Sequence, residues 1–401
     1  MRKIHVRFTA LFIAVLFVLS LGACGNSEPS ETSETTVQTT AGTTETETEA
    51  LSTLENTSSE EEASRFVTGS VVIAETTEAL PEENEPSAPV NHLTGLPLAE
   101  GENALFRPIA FSVNNLKVAA RYHSGLSSAD IIYEVEVEGG ITRLVAVFSN
   151  TENVGKIGSI RSARPVMNCI VLGHDAYFVH SGGSDQAYSE LSQYGIPDID
   201  GMKKYAGYFY YDDAVVSASS LEHGYFINGE KAKAAIEAYL GDDGRSEVKE
   251  GYDKLFCFYP EASALPGGLP CAEIETSYGS HYKPRFVYDP ESGKYGREQY
   301  GAAHVDSANG EQLMFDNVIV LSVESSVIKG DKAGRRDFDD VGSGCGILAS
   351  KGTYINIMWE KESYTSPLVL TAEDGSPLTV NTGKTFISYV NGEDKITVSA
   401  E

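Results

Sequence analysis

Residues 131–148 read IIYEVEVEGGITRLVAVF. Tyr133, Val135 and Val137 alternate with Glu134, Glu136 and Glu138, the period of two that marks a strand with two different faces. Gly139-Gly140 follows, and then ITRLVAVF, in which Leu144, Ala146 and Phe148 share one face and Arg143, Val145 and Val147 the other. Two glycines between two strand patterns specify a tight hairpin. Arg143 is then expected across from a glutamate of the first strand, as a cross-strand ion pair.

Outward from the hairpin, Ile109, Phe111 and Val113 alternate as another strand. The apolar run PVMNCIVLG (165–173) opens on Pro165, which suits a first helical turn, and predicts a helix. Ala176–His180 reads as a strand. From Ser184, SDQAYSELSQYG places Ala187, Tyr188, Leu191 and Tyr194 at helical spacing before a stop at Gly195. Tyr205–Tyr211 reads as a strand. Asn228 opens a helix whose stripe of Ala232, Ala235, Ile236, Tyr239 and Leu240 ends at Gly241. Strands alternating with helices make 90–245 a mixed α/β domain. GDDGRSEVKEG (241–251) is charged and glycine-containing, a linker. Beyond it, strand patterns lie at 255–259, 272–278, 284–289, 294–297, 315–323, 345–349, 353–359, 385–390 and 395–399. Turn pairs such as Asn309-Gly310, Lys351-Gly352, Asp374-Gly375 and Asn391-Gly392 punctuate them, so 252–401 reads as a mainly antiparallel β domain. The fold class is α+β.

The N-terminus carries a different message. Arg2, Lys3 and Arg7 precede FTALFIAVLFVLSL (8–21), an apolar run shorter than the roughly 20 residues that span a bilayer. That is the form of a signal peptide, here 1–23. The run ends in Leu21-Gly22-Ala23-Cys24, which resembles the bacterial lipobox, with Cys24 the lipid-bearing first residue of the mature chain. A diacylglycerol and an amide-linked chain such as palmitate give stable anchoring. Residues 24–89 are rich in Ser, Thr and Glu, with fifteen acidic residues against one basic, Arg65. Such a segment buries too little apolar surface to offset its backbone entropy, and its like charges extend it, so it reads as a disordered tether. These features place the globular part on the extracellular face of the cytoplasmic membrane.

The formal net charge of the chain is -28, which argues against nucleic acid as a partner, because a phosphate backbone repels such a surface. Cys169, Cys257, Cys271 and Cys345 form no CxxC pair and give no metal signature. Cys257 and Cys271 can pair across a loop in an oxidising exterior, or all four are small thiols of the interior.

Several ordered runs carry a family resemblance. NHLTGLPL (91–98), RPIAFSVNN (107–115), SGLSSADIIYEVEVEGGITRLVAVF (124–148), IGSIRSARP (157–165) and DAYFVHSGGSDQAY (175–188) resemble the YerB-like lipoproteins, the two-part family of unknown function DUF3048. The second part resembles the same family in Tyr295 and Arg297, His304 and Asp306, DNVIV (316–320), GSG (342–344), Trp359, the Asp374-Gly375 turn and GKTFI (383–387). The resemblance implies lipid-anchored exterior proteins of Gram-positive bacteria and carries no established activity. One loop departs: where the family usually has Arg-Lys-Ala-Pro-His-Asn-Leu-Tyr, SASSLEHGYF (217–226) keeps His223 with Glu222 and Gly224 beside it.

Candidate sites follow from residue type. Arg161 and Arg164 stand before the helix at Pro165, where free N–H groups already concentrate positive charge. Two guanidiniums there require an anion nearby: a phosphate or carboxylate ligand, or acidic side chains such as Glu134 or Glu136. His180-Ser181-Gly182-Gly183-Ser184 ends a strand and opens a helix, where glycines permit close backbone approach, or simply turn the chain. It matches neither a phosphate loop, a dinucleotide fingerprint nor a nucleophile elbow, and no cofactor is expected. With Asp185 and His223 these residues form one candidate polar cleft. On residue type alone His180 is a general base and Ser184 a nucleophile. His304 and Asp306, at i and i+2, are two ligands without a third, so no metal is expected. Gly342-Ser343-Gly344 reads as a β-turn or a ligand-contacting loop, and Trp359 as a core aromatic or a sugar platform. Two functions compete: a surface lipoprotein binding an anionic or glycan envelope ligand, a cell-wall polymer or an envelope protein; and a cell-wall hydrolase or transferase using His180 and His223.

Overall fold

In the computed structural model, whose described residues are 89–152 and 154–401, Ile131–Glu138 and Ile141–Phe148 pair antiparallel across Gly139 and Gly140. Both glycines have positive φ, the turn geometry whose twist matches the strands and which a Cβ would oppose. Cys24, the signal peptide and nearly all of the tether lie outside the described residues.

The hairpin occupies the middle of an eleven-stranded mixed sheet. On one side Ile109–Asn114 pairs antiparallel with Ile141–Phe148, and Tyr177–His180 and Asp198–Asp200 continue the sheet in parallel. On the other side Ile131–Glu138 pairs in parallel with Thr385–Val390, which pairs in parallel with Asn317–Ser322. The long hairpin of Gly342–Ser350 and Thr353–Lys361 extends that side antiparallel. Strands from 90–245 and from 252–401 therefore share one sheet, and the described residues make one compact unit. A second sheet, antiparallel throughout, is built on Glu273–Thr276, Arg285–Asp289, Lys294–Gln299 and Ile396–Ser399.

Alternation sorts the apolar residues of the main sheet into two cores. Phe111, Val113, Leu144, Ala146 and Phe148 pack with Ile274, Phe286 and Tyr295 of the second sheet and with Ala232, Ala235 and Ile236 of helix Gly229–Asp243. Tyr133, Val135, Val145 and Val147 pack with Val166, Met167 and Ile170 of helix Pro165–Gly173 and with Ala187 and Leu191 of helix Asp185–Gln193. Each Val, Leu, Ile, Met or Phe among them contributes about 1.5–3 kcal/mol on full burial, and each Ala less. Covering both faces has a consequence at Glu134. It sits on the polar side of the alternation, yet it is fully buried beneath the second sheet. Its carboxylate accepts from Arg297 Nη2 (2.7 Å), Tyr282 Oη (2.7 Å), Thr142 Oγ1 (2.8 Å) and Asn115 Nδ2 (2.8 Å).

Helix starts follow the sequence. Pro165 is in the first turn, Ser184 Oγ accepts from Ala187 N at 3.2 Å, and Asn228 Oδ1 accepts from Lys231 N at 2.8 Å. Three expectations are corrected, and the open alternative at Cys257 and Cys271 is decided for free thiols. The strand expected over Tyr205–Tyr211 is a 3₁₀ turn at Ala206–Tyr208 and a strand only at Tyr210–Tyr211, because Tyr205 and Phe209, four residues apart, both turn inward. The helix from Asn228 runs through Gly241 to Asp243. Cys257 and Cys271 are both free thiols, one exposed and one buried. Gly342-Ser343-Gly344 is neither turn nor ligand loop but the start of a strand: Gly344 lies opposite Trp359, and a Cβ there would come 2.5 Å from the indole nitrogen. Trp359 is a core residue whose Nε1–H donates to Ser322 O at 3.0 Å. No helix among the described residues is long and apolar enough to cross a membrane.

Candidate functional site

The parallel strands Ile109–Asn114, Tyr177–His180 and Asp198–Asp200 end together, at Asn114, His180 and Asp200. The carboxyl edge of parallel strands is where open α/β sheets gather ligands, since the chain must leave the sheet there and polar groups collect. Residues 160–163 run alongside this edge. Arg161 N donates to Ser112 O at 2.8 Å, Ser181 N to Arg161 O at 2.9 Å, and Ala163 N to Gly182 O at 2.9 Å. His223 reaches Asn114, and Glu222 reaches Arg161. The fold thus brings Arg161, Arg164, His180, Gly182, Gly183 and His223 to one edge. Asp185 stands exposed in the first turn of its helix.

The two arginines have different surroundings. Arg164 is 9 % exposed and locked: its Nε and Nη2 each donate at 2.8 Å to the two oxygens of Glu138, and Nη1 donates to Ala163 O. Arg143 Nη2 adds a third donor to Glu138 at 2.9 Å while Nη1 holds Ser162 O. Burial pushes the Glu138 carboxyl up, and Arg164 and Arg143 together bring it net below its ordinary range. Arg161 instead donates from Nη2 to Glu222 Oε1 at 2.5 Å, and the Glu222 side chain is 63 % exposed. The carboxylates that answer these arginines are therefore Glu138 and Glu222. The expected Glu134 is taken by Arg297, and Glu136 lies 3.6 Å from Arg336. The cross-strand partner of Arg143 is Glu138, although the residue directly opposite it is Val135. Around Arg161 itself, then, three guanidiniums, Arg143, Arg161 and Arg164, share two carboxylates, Glu138 and Glu222, while Asp198 and Asp200 stand on the far side of the edge with His180.

His180 is fully buried. Its Nδ1 lies 2.8 Å from Gly182 O and its Nε2 2.8 Å from Asp198 Oδ1. A general base needs a lone pair facing the reacting proton, and both ring nitrogens here face protein acceptors. Ser184 Oγ is engaged as a helix cap. His180, Asp198 and Asp200 bring their donor atoms within 4.8 Å of one another. Asp200 is nevertheless saturated: Oδ1 accepts from Gly182 N and Met202 N, each at 2.8 Å, and Oδ2 from Tyr188 Oη at 2.6 Å. Burial pushes its carboxyl up, and these donors bring it net below the ordinary range. The trio shapes the 181–184 loop.

His223 has a fixed hydrogen-bond polarity. Asn114 Oδ1 accepts from Leu116 N at 3.0 Å, so its amide nitrogen is the group that faces His223 Nδ1 at 2.8 Å. An amide nitrogen only donates, so Nδ1 must accept and the ring proton sits on Nε2. Burial and then the nearby Arg161 lower the His223 pKa, in agreement. His304 and Asp306 serve separate ends: His304 joins Arg297 and His123, while Asp306 accepts from the N–H groups of Gly125, Ser127 and Ala308. Sequence reasoning missed Asn114, Glu138, Asp198 and Asp200. The only signal was Asp198-Ile199-Asp200 at a strand end, which an acidic chain hides.

This architecture defines an α+β protein whose second region completes the sheet of the first, with a polar edge at the ends of its parallel strands. Residues 93–240 match the N-terminal domain, and residues 274–387 the C-terminal domain, of the family described as protein of unknown function (DUF3048). The chain belongs to this YerB-like family. It is 29% identical over 296 residues to the Bacillus subtilis (strain 168) protein named "Putative lipoprotein YerB", covering 73% of this chain and 84% of that one. The crystal structure of YerB protein from Bacillus subtilis superposes with a TM-score of 0.65 at 28% identity, covering 79% of this chain and all of that one.

Proposed function

We propose that the chain is a lipid-anchored surface protein that binds an anionic polymer of the cell envelope at the Arg161 edge. Cys24 takes the lipid, residues 24–89 hold the globular part away from the membrane, and no reaction is required of the site. The observation that carries this reading is the contrast between the two arginines. Arg164 is satisfied by a bidentate, largely buried carboxylate, whereas Arg161 is held by one exposed side chain that water can replace. The lipobox-like Leu21–Cys24 and the lipoprotein name of the Bacillus relative support the anchor. The hydrolase alternative finds less support, because His180 is fully buried and both its ring nitrogens face protein acceptors, Gly182 O and Asp198, instead of a cleft.

One fractionation experiment tests both parts. Wild-type protein should sediment with membranes and, once solubilised, bind purified cell-wall sacculi in a salt-sensitive way. Cys24→Ser should move the protein to the soluble fraction. Arg161→Ala should stay with the membrane and lose most sacculus binding. Equal sacculus binding by wild type and Arg161→Ala would dismiss the site, and membrane retention of Cys24→Ser would dismiss the anchor.

A further inference from the structure

We infer that Glu222 is a built-in stand-in for the ligand: it occupies the anion position of Arg161 in the free protein and is displaced by a phosphate group, which takes Arg161 and the His223 Nε2–H together. The inference rests on the anion-binding reading above and adds the ligand's chemistry and how the site is kept closed without it.

Three features lead to it. First, Glu222 is tethered lightly. It lies in the short 3₁₀ turn Leu221–His223, its side chain is mostly in water, and one guanidinium nitrogen is its partner. Exposed ion pairs of this kind contribute little to stability, so exchanging one carboxylate for another anion costs little. Second, the position offers more than Glu222 uses. The Asn114 amide fixes His223 as a neutral ring with its proton on Nε2. Arg161 is near enough to depress the His223 pKa. The carboxylate of Glu222 meets Arg161 and has no hydrogen bond to the His223 ring. A free phosphoryl group presents acceptors in several directions and can answer a guanidinium and an imidazole N–H at once, where the Glu222 carboxylate, tied to the 221–223 turn, answers Arg161 alone. Third, the surroundings hold that geometry. Arg161 lies between the strand partners Ser112 and Ser181, bonded at its backbone N and O. Arg143 and Arg164 beside it are fixed by Glu138, so their charge contributes without their side chains having to move.

The shared chemistry is a phosphoryl oxyanion, supplied by a wall-polymer phosphodiester, a phospholipid headgroup or free phosphate. Isothermal titration of the detergent-solubilised full chain with inorganic phosphate, poly(glycerol phosphate) and phosphatidylglycerol vesicles separates these sources. Glu222→Gln and Glu222→Ala should bind at least one probe roughly threefold to tenfold more tightly than wild type. Arg161→Ala should abolish binding of the same probe, and His223→Phe should reduce it in the Glu222→Gln background. Melting temperatures within a degree or two of wild type should accompany the Glu222 variants, since that side chain is exposed. If wild type binds through Arg161 but neither Glu222 variant binds more tightly, the stand-in idea falls and the anion-binding reading survives. If neither wild type nor Glu222→Gln binds any of the three probes, the anion-binding reading itself falls.

Discussion

At the scale of single residues, the polarity of one amide decides what a histidine can do. Because Asn114 turns its nitrogen to His223, protonation of Nδ1 would set N–H against N–H. We expect His223 to titrate below the ordinary 6.5 and to show the Nε2–H tautomer in long-range ¹⁵N NMR spectra. Asn114→Asp replaces the donor by an acceptor and should raise the His223 pKa above its wild-type value, measured from the ring proton shifts. An unchanged titration in Asn114→Asp would mean that Asn114 does not control the ring. The sequence could name Arg161, Arg164, His180 and His223 because guanidinium and imidazole near a strand end are legible as residue types. It could not rank the arginines, since the ranking lies in partners from residue 138 and residue 222. Nor could it see that His180 is turned between two acceptors, because Asp198 arrives from the neighbouring strand.

At the scale of elements, a directed chain of hydrogen bonds joins the two sheets. Arg297 Nη1 donates to His304 Nδ1; His304 Nε2–H donates to His123 Nδ1 over 2.7 Å; His123 Nε2–H donates to Asn114 O. The other end of Arg297 donates from Nη2 to Glu134, and both side chains are fully buried. Removing one member of such a pair leaves a charge stranded in the interior. Arg297→Met should therefore cost about 3–5 kcal/mol in denaturant unfolding, and Arg297→Met combined with Glu134→Met should recover most of that loss. A double variant as unstable as the single one would show that the pair is not the unit at work. The 131–148 hairpin, the three helix starts and most strands were legible, because turn glycines, caps and periodicity are local. Glu134 was not: its alternation is that of a half-exposed strand, and the layer that covers it comes from residues 273–399. The 205–211 segment failed for a related reason, since its aromatics serve a turn packed on the core.

At the scale of the molecule, the interior holds several neutral imidazoles. Burial lowers His92 and His123 to about 4, His174 to about 3 and His304 well below its ordinary value. The unfolded chain takes up these protons near 6.5 and the folded chain only at lower pH, so stability is fully present above about 6.5 and is lost as pH falls toward 4. Melting temperature should be level between pH 7 and 8 and decline between about 6.5 and 4.5, before carboxylates held low by arginines, such as Glu138 and Asp175, take protons. A flat profile down to pH 5 would contradict the buried neutral state.

The place of Thr385–Val390 carries a further implication. This strand lies between Ile131–Glu138 and Asn317–Ser322, parallel to both, so the middle of the main sheet is supplied by a segment made long after the hairpin. A ribosome delivers the hairpin long before its neighbour exists, and until then one edge of Ile131–Glu138 has no partner. Closure of the main sheet therefore waits on synthesis of residues 385–390, and a chain truncated before them would leave that edge of the hairpin open.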